Sequence, residues 1–282
     1  MSESRPILPR TESREGGSNA SSVVLKAEKL TKSYSIGSKR VLALRNVDLQ
    51  IKRGEFVAIT GLSGQGKTTL LNILAGLDRP TSGKVFLDEI DLGKLRDSQL
   101  SKVRREKIGF VFQGFNLLPY LNARENVELA MEGNSMSKGE RASKANELLG
   151  MVNLSGREEH RPSRLSAGEQ QRVAIARALA NSPSVIFADE PTGNLDGKTR
   201  NKIMGVLIDL NLRRGVTIVV VTHDDHVAGE AEKILQLRQR TILGEKKGNL
   251  ARRKLEGPPD AAPQQDETAD EEDDDDQNEN ED

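Results

Sequence analysis

Cysteine is absent from the 282-residue chain. That excludes a disulfide framework, a thiolate zinc site and a cysteine nucleophile, and it is compatible with a reducing compartment. Long apolar runs are missing as well. Nothing approaches the 18 or so consecutive apolar residues of a membrane span, and the longest apolar segment, Val216 to Val221, is strand-sized. Residues 1 to 22 carry Arg5, Arg10 and Arg14 but no apolar core of a secretory signal. The chain is therefore expected neither to cross a membrane nor to be exported by the usual route. If it works at a membrane, another polypeptide must supply the spanning helices. The near-zero net charge of -1 conceals an asymmetry: Asp260 to Asp282 holds 13 acidic and no basic residues, which leaves a body with a net charge of +12.

The length allows one large domain or two small ones. Residues 1–22 are rich in Ser, Glu, Arg, Gly and Pro without periodicity, too poor in apolar groups to repay the entropy of ordering, and read as a disordered arm. From residue 23 to about 245, short apolar runs alternate with amphipathic stretches, the pattern of an α/β domain with a largely parallel sheet. Buried strands are expected at Phe56–Ile59, Ile108–Phe112, Val185–Ala188 and Val216–Val221, each apolar on both faces. A helical insert lies between the second and third. In it, Ser137 and Glu140 form an expected capping box ahead of a helix that buries Ala145, Leu148, Leu149 and Val152. Residues 246–282 turn basic, then acidic, and are expected to be disordered; as a sharper possibility, the acidic end folds back on Lys246 to Lys254.

Gly61-Leu62-Ser63-Gly64-Gln65-Gly66-Lys67-Thr68 fits the pattern G-x-x-x-x-G-K-[ST], follows the strand ending at Ile59 and opens a helix through Leu70, Leu71, Ile73 and Leu74. The glycines let successive backbone N–H groups turn inward on a polyphosphate, and the helix that follows aims its positive end at the same anion. Lys67 adds a full charge, and the Thr68 hydroxyl can ligate Mg²⁺. The strand Val185–Ala188 runs into two carboxylates, Asp189 and Glu190. Asp189 suits a magnesium held through water, and Glu190 can accept a proton from an attacking water.

Leu165-Ser166-Ala167-Gly168-Glu169-Gln170-Gln171-Arg172, continuing to Leu179, resembles the signature segment of ATP-binding cassette (ABC) ATPases and stands just before the acidic strand, as in that family. Locally, Ser166 and Glu169 make another capping box, with free N–H groups at the helix start. The resemblance spans about Leu25 to Leu243 and implies a P-loop NTPase ABC-ATPase fold: α/β, a mostly parallel core sheet, an N-terminal antiparallel β subdomain and a helical insert at about 114–164. It implies ATP and Mg²⁺ as ligands. Nucleotide contacts fall on Tyr34 (adenine stacking), Gly61, Ser63, Gly64, Gly66, Lys67, Thr68 and Thr69, and metal contacts on Thr68, Gln113 and Asp189. Glu190, His223, Gln113 and Lys67 carry catalysis. Ser166, Gly168 and Asp196 would act in trans, because in this family the phosphate loop of one protomer faces the signature segment of another. His160 and His226 match no catalytic position.

The segments Gly76–Gly83 and Phe112–Pro119 look most like the subgroup that serves lipoprotein release, macrolide and peptide export, and cell division. This implies a homodimer, cytoplasmic and peripheral on the inner face of the cell membrane, driving a separate permease docked near Gln113, Phe115 and Tyr120; direct nucleic-acid binding is not expected. Two alternatives stand beside it. One is a soluble ABC ATPase acting on nucleic acid or ribosomes, suggested by the basic body and by Lys102, Arg104, Arg105 and Lys107; the lack of a long heptad insertion, a second cassette or zinc-binding cysteines argues against it. The other is an ATP-state signalling partner in cell division. Two departures from the family pattern matter. Ala167 replaces a usual glycine, which would weaken the trans contact if that position needed positive φ or close backbone approach. Leu237-Arg238-Gln239-Arg240 replaces an acidic-Gly turn, and a distorted last hairpin is expected.

Overall fold

The structure is a computed structural model, and it describes residues 22–251. The expected N-terminal arm, apart from Ser22, and the acidic tail lie outside the described residues. Two long strands come first, β1 (Val23–Ile36) and β2 (Lys39–Lys52), followed by β3 (Phe56–Thr60) and α1 (Lys67–Leu74). Then come β4 (Ser82–Leu87), β5 (Ile90–Asp91), α2 (Asp97–Lys107) and β6 (Ile108–Val111). The insert contributes α3 (Ala123–Glu128) and α4 (Lys138–Met151), and α5 (Ala167–Leu179) carries the signature segment. The remainder is β7 (Val185–Asp189), α6 (Gly197–Arg214), β8 (Ile218–Val221), α7 (Asp225–Gly229), β9 (Lys233–Arg238) and β10 (Thr241–Lys247).

These strands make two sheets. One is antiparallel, in the order β2-β1-β4-β5; the other runs β10-β9-β3-β8-β7-β6 and is parallel except for the β9–β10 hairpin. The parallel strands are apolar on both faces because both faces are covered. Alternation of period two sorts them: Phe56, Ala58, Ile186, Ala188, Ile218 and Val220 pack towards the helices α3 to α6. Val57, Ile59, Val185, Phe187, Val219 and Val221 pack towards α1 and the antiparallel sheet. The register Phe56↔Ile218↔Ile186 keeps each face in step across three strands. In α4 the capping box forms as expected, with the Glu140 N–H donating to Ser137 Oγ at 3.3 Å and the Ser137 N–H to Glu140 Oε2 at 2.7 Å. Ala145, Leu148, Leu149 and Val152 are buried beyond it.

Three expectations need correction. The boundary at residue 245 falls inside β10, which pairs with β9 as far as Lys247↔Lys233, and Leu250 beyond it is fully buried against Ala231 and its neighbours. The basic composition of 246–251 hid an ordered strand end and one apolar anchor. Secondly, the turn of the last hairpin is regular, and the irregularity lies further along, where the pairing register shifts between Ile242 and Gly244. Arg238 pairs with Thr241, and the two residues between them have φ of +48° and +67°, the left-handed pair that a two-residue turn of the twist-matching kind requires. Gln239 and Arg240 adopt it without a glycine. Thirdly, Ala167 is the first residue of α5 and is exposed, and positive φ does not occur there. Its Cβ therefore meets no backbone penalty.

Candidate nucleotide site

Apart from Tyr34, which lies on β1 of the antiparallel sheet, the groups expected in cis come from the C-terminal ends of parallel strands, where ligands bind in open α/β sheets. The phosphate loop follows β3, Gln113 follows β6, Glu190 follows β7, and Thr222 and His223 follow β8. The loop enters α1 through Gly66, whose φ of +98° lies in the left-handed region. A Cβ at Gly66 would stand 2.4 Å from the carbonyl oxygen of Ala43, so only glycine fits against β2. The Lys67 ammonium donates to the Gly61 carbonyl at 2.8 Å and the Leu62 carbonyl at 3.3 Å, which holds the cation on the rim of the loop. A cavity of about 550 Å³ opens there, lined by Val41 to Ala43, Ser63, Gly64, Gly66 to Thr69, Glu190, His223 and Arg240.

Glu190 is held on both oxygens. Its Oε1 lies 2.7 Å from His223 Nδ1, and its Oε2 accepts from the Thr222 hydroxyl at 3.2 Å. Its own φ is +46°, a strained value for a non-glycine residue that turns the carboxylate off the end of β7. Beside it, burial, and then the charge of Glu190, raise the Asp189 carboxyl above the ordinary carboxylate value, while Thr68 and Lys67 pull the other way. Asp189 Oδ1 is buried without a hydrogen-bond partner. A buried, unpaired carboxylate oxygen beside a loop threonine is a donor set that fits a hard divalent cation.

Gln113 sits over the same corner. The Asn194 amide donates to its carbonyl at 3.1 Å, and Gly193 leaves the room its side chain occupies, since a Cβ there would lie 3.1 Å from Gln113 Nε2. Tyr34 is 38% exposed, an available ring near the end of β1; its hydroxyl donates to Asp78 Oδ2 at 2.8 Å, and the Lys32 ammonium stands 4.7 Å from the ring centroid. Ser166 caps α5, accepting from the Glu169 N–H at 3.2 Å and returning its own N–H to Glu169 Oε2 at 2.7 Å. Gly168 packs so closely on α6 that a Cβ would come within 2.6 Å of Thr199 Cγ2. Asp196 caps α6 through the Thr199 N–H at 3.0 Å. None of Ser166, Gly168 and Asp196 lines the cavity.

The chain's ABC transporter family model matches residues 44–193, more than half of the sequence. The chain belongs to the ABC transporter family. It is 52% identical over 228 residues, covering 79% of this chain and 97% of the relative, to an uncharacterized ABC transporter ATP-binding protein, MJ0796, of Methanocaldococcus jannaschii. It is 42% identical over 220 residues, covering 78% of this chain and 97% of the relative, to the lipoprotein-releasing system ATP-binding protein LolD of Legionella pneumophila. Among solved structures, a dimeric post-hydrolysis state of the cassette MJ0796 bound to ADP and Pi matches with a TM-score of 0.73 at 50% identity, over 80% of this chain and 99% of that one. As a member of this family the chain is an ATPase. Its ABC fold is the one expected, with the antiparallel sheet, the mostly parallel sheet and the helical insert all in place.

Several contributors to this ABC site were not singled out from the sequence. Thr222 holds Glu190, Asp78 holds Tyr34, and Arg240 lines the cavity. Arg177, half-buried on α5, donates from both terminal nitrogens to the carbonyls of Phe115 and Asn116, whose φ values of +58° and +51° it pins after Gln113. Phe110 and Phe112 pack as a pair, ring centroids 4.3 Å apart, with Phe187 next to Phe110, whereas Tyr120 is 65% exposed. His160 and His226 lie away from the cavity, as expected. No helix among the described residues is long and apolar enough to cross a membrane.

Proposed function

We propose that the chain is the ATP-hydrolysing subunit of a transporter or mechanotransmitter, that it closes as a homodimer around two ATP molecules, and that it drives a separate permease. The observation that carries this reading is the division of the site. The cavity holds the phosphate loop, Glu190 and His223, while the capped N-terminus of α5, with Ser166 and Gly168, lines no part of it. A second copy would bring its signature helix to the γ-phosphate and add N–H donors to those of the phosphate loop. The dimeric ADP- and Pi-bound relative supports the arrangement.

Within one copy, Lys67 and the loop N–H groups bind the phosphates, and Tyr34 stacks on the base. Thr68, Asp189 and Gln113 would hold Mg²⁺, which neutralises charge on the phosphates when bound. Glu190 orients the attacking water and takes its proton, with Thr222 and His223 fixing both carboxylate oxygens; His223 also reaches the γ-phosphate. Phe115 and the exposed Tyr120 are the docking groups for the permease, and the name of the lipoprotein-releasing relative supports that class of partner. The chain then lies at the cytoplasmic face of the membrane. Three of the four basic residues weighed for nucleic acid are engaged within the chain: Lys102 faces Glu106, Arg104 donates to the Gly76 carbonyl, and Lys107 pairs with Asp88.

Glu190→Gln tests the chemistry and the dimer together. Turnover should fall by about a hundredfold or more, as for loss of a general base, while ATP stays bound and the mass measured by light scattering doubles on adding ATP. Normal turnover would refute Glu190 as the base, and a monomer at saturating ATP would refute the sandwich. Purification of the same variant with ATP from native membranes should recover a multi-span protein in stoichiometric amount; recovery of ribosomal partners alone would refute the permease reading.

A further inference from the structure

The nucleotide cavity has one wall that the family's motifs do not supply. Arg240 lines it, together with Ser63 and Gly64 of the phosphate loop and Val41 to Ala43 of β2. The residue is the second of the two-residue turn between β9 and β10, with φ of +67°. A residue without a Cβ would be at ease in that conformation, and an arginine is not. Its backbone is fixed from the cavity side, because its carbonyl accepts the Arg45 N–H at 2.8 Å and so ties the turn to β2. The side chain is exposed, and among the described residues its guanidinium has no hydrogen-bond or ion-pair partner. The other ionic groups of the cavity are engaged: Lys67 with loop carbonyls, Glu190 with His223. An unpaired guanidinium fixed at the mouth of a polyphosphate cavity has one natural counterpart, a phosphate oxygen, which its planar fork can meet with two donors.

We propose that Arg240 is a nucleotide-binding residue of this chain, contacting in cis the phosphate chain of the nucleotide held by the loop. The inference rests on the nucleotide reading of the cavity and deepens it by adding a cation outside the phosphate loop. Arg214, at the end of α6, is a built-in comparison. It is exposed and lines a different cavity, with Leu148, Met151 and Leu179.

The test is the dissociation constant of ATP, measured by calorimetry in the Glu190→Gln background so that hydrolysis does not intrude. Arg240→Asn removes the charge and tolerates left-handed φ, so the turn survives. ATP should bind about three- to tenfold more weakly, the range for losing one exposed charge-assisted contact. The loss should shrink at high ionic strength, adenosine should bind as before, and Arg240→Lys should recover part of the affinity. Arg214→Gln should change ATP binding less than twofold. Arg240→Asn binding ATP within twofold of its parent at low salt, or an equal loss with adenosine, would overturn the proposal while leaving the nucleotide reading intact. A parent that bound no ATP at all would overturn both.

Discussion

Adjacent Asp189 and Glu190 show how the site trades stability for chemistry. Asp189 is a partly buried carboxylate with an unpaired oxygen and a like charge next to it, so it is destabilising until a cation meets it. Its folded pKa is raised, so the protein without metal gains stability on acidification through that value, the opposite of a salt-bridged aspartate. Asp189→Asn should raise the unfolding free energy of metal- and nucleotide-free protein by about 0.5–1.5 kcal/mol, read by calorimetry at pH 7, and should abolish Mg²⁺-dependent hydrolysis. A drop in stability would show that Asp189 is structural. Lys67 illustrates the reverse economy. Two carbonyls already hold its ammonium, so little side-chain entropy remains to be lost when a phosphate arrives. Lys67, Thr68, Asp189 and Glu190 could be singled out in the sequence because the chemistry proposed for them demands fixed residue types at fixed spacing. Thr222 and Arg240 were not, because a hydroxyl at a strand end or an arginine in a turn acquires meaning only from what the fold sets beside it.

At the scale of the element, the capping boxes were the most readable feature, since Ser and Glu three apart ahead of an apolar run specify a helix start almost unaided. In α5 the box does more than begin a helix: it fixes the end expected to meet a partner's nucleotide. Burial works to raise the Glu169 carboxyl, but the N–H and hydroxyl of Ser166, with Arg157 and Arg172, outweigh it and hold it below the ordinary value. A depressed carboxylate contributes stability above the unfolded pKa of about 4.3 and loses it as pH falls through the folded value. Ser166→Ala should therefore cost about 1 kcal/mol at pH 7, and urea titrations should show the difference narrowing below about pH 4. A difference independent of pH would mean that the Glu169 arm of the box contributes nothing. The turn of the last hairpin was misjudged from the sequence because turn preferences describe which residues relax into left-handed φ, whereas here β2 holds the turn in place through the Arg45 N–H. The end of β10 was misjudged because lysines dominate it, and its order comes from pairing with β9 and from buried Leu250.

For the molecule as a whole, Asp88 is the stitch between its parts. It sits in the turn between β4 and β5 with φ of +45°, accepts from Lys107 at the end of α2 and from the Ser184 hydroxyl ahead of β7, both within 2.7 Å, and pairs with Arg53 after β2. One carboxylate thus joins the antiparallel sheet to the parallel one. Asp88→Ala leaves Lys107 and Ser184 without an acceptor and should cost about 2–4 kcal/mol in urea unfolding; a cost under about 0.5 kcal/mol, the size of an ordinary surface change, would show that the two sheets are held by apolar contact alone. The fold class was visible from the alternation of strands and helices, but this junction was not, because it unites four segments far apart in sequence. The cavity stands at a second seam of the same kind, with β2 of one sheet on one side and the loop and hairpin of the other sheet opposite. A molecule lodged there is a third party to the union of the sheets, and it is released when either one lets go. Melting temperature then becomes a gauge of nucleotide concentration: at a hundredfold excess over Kd the occupied protein gains about 2.7 kcal/mol.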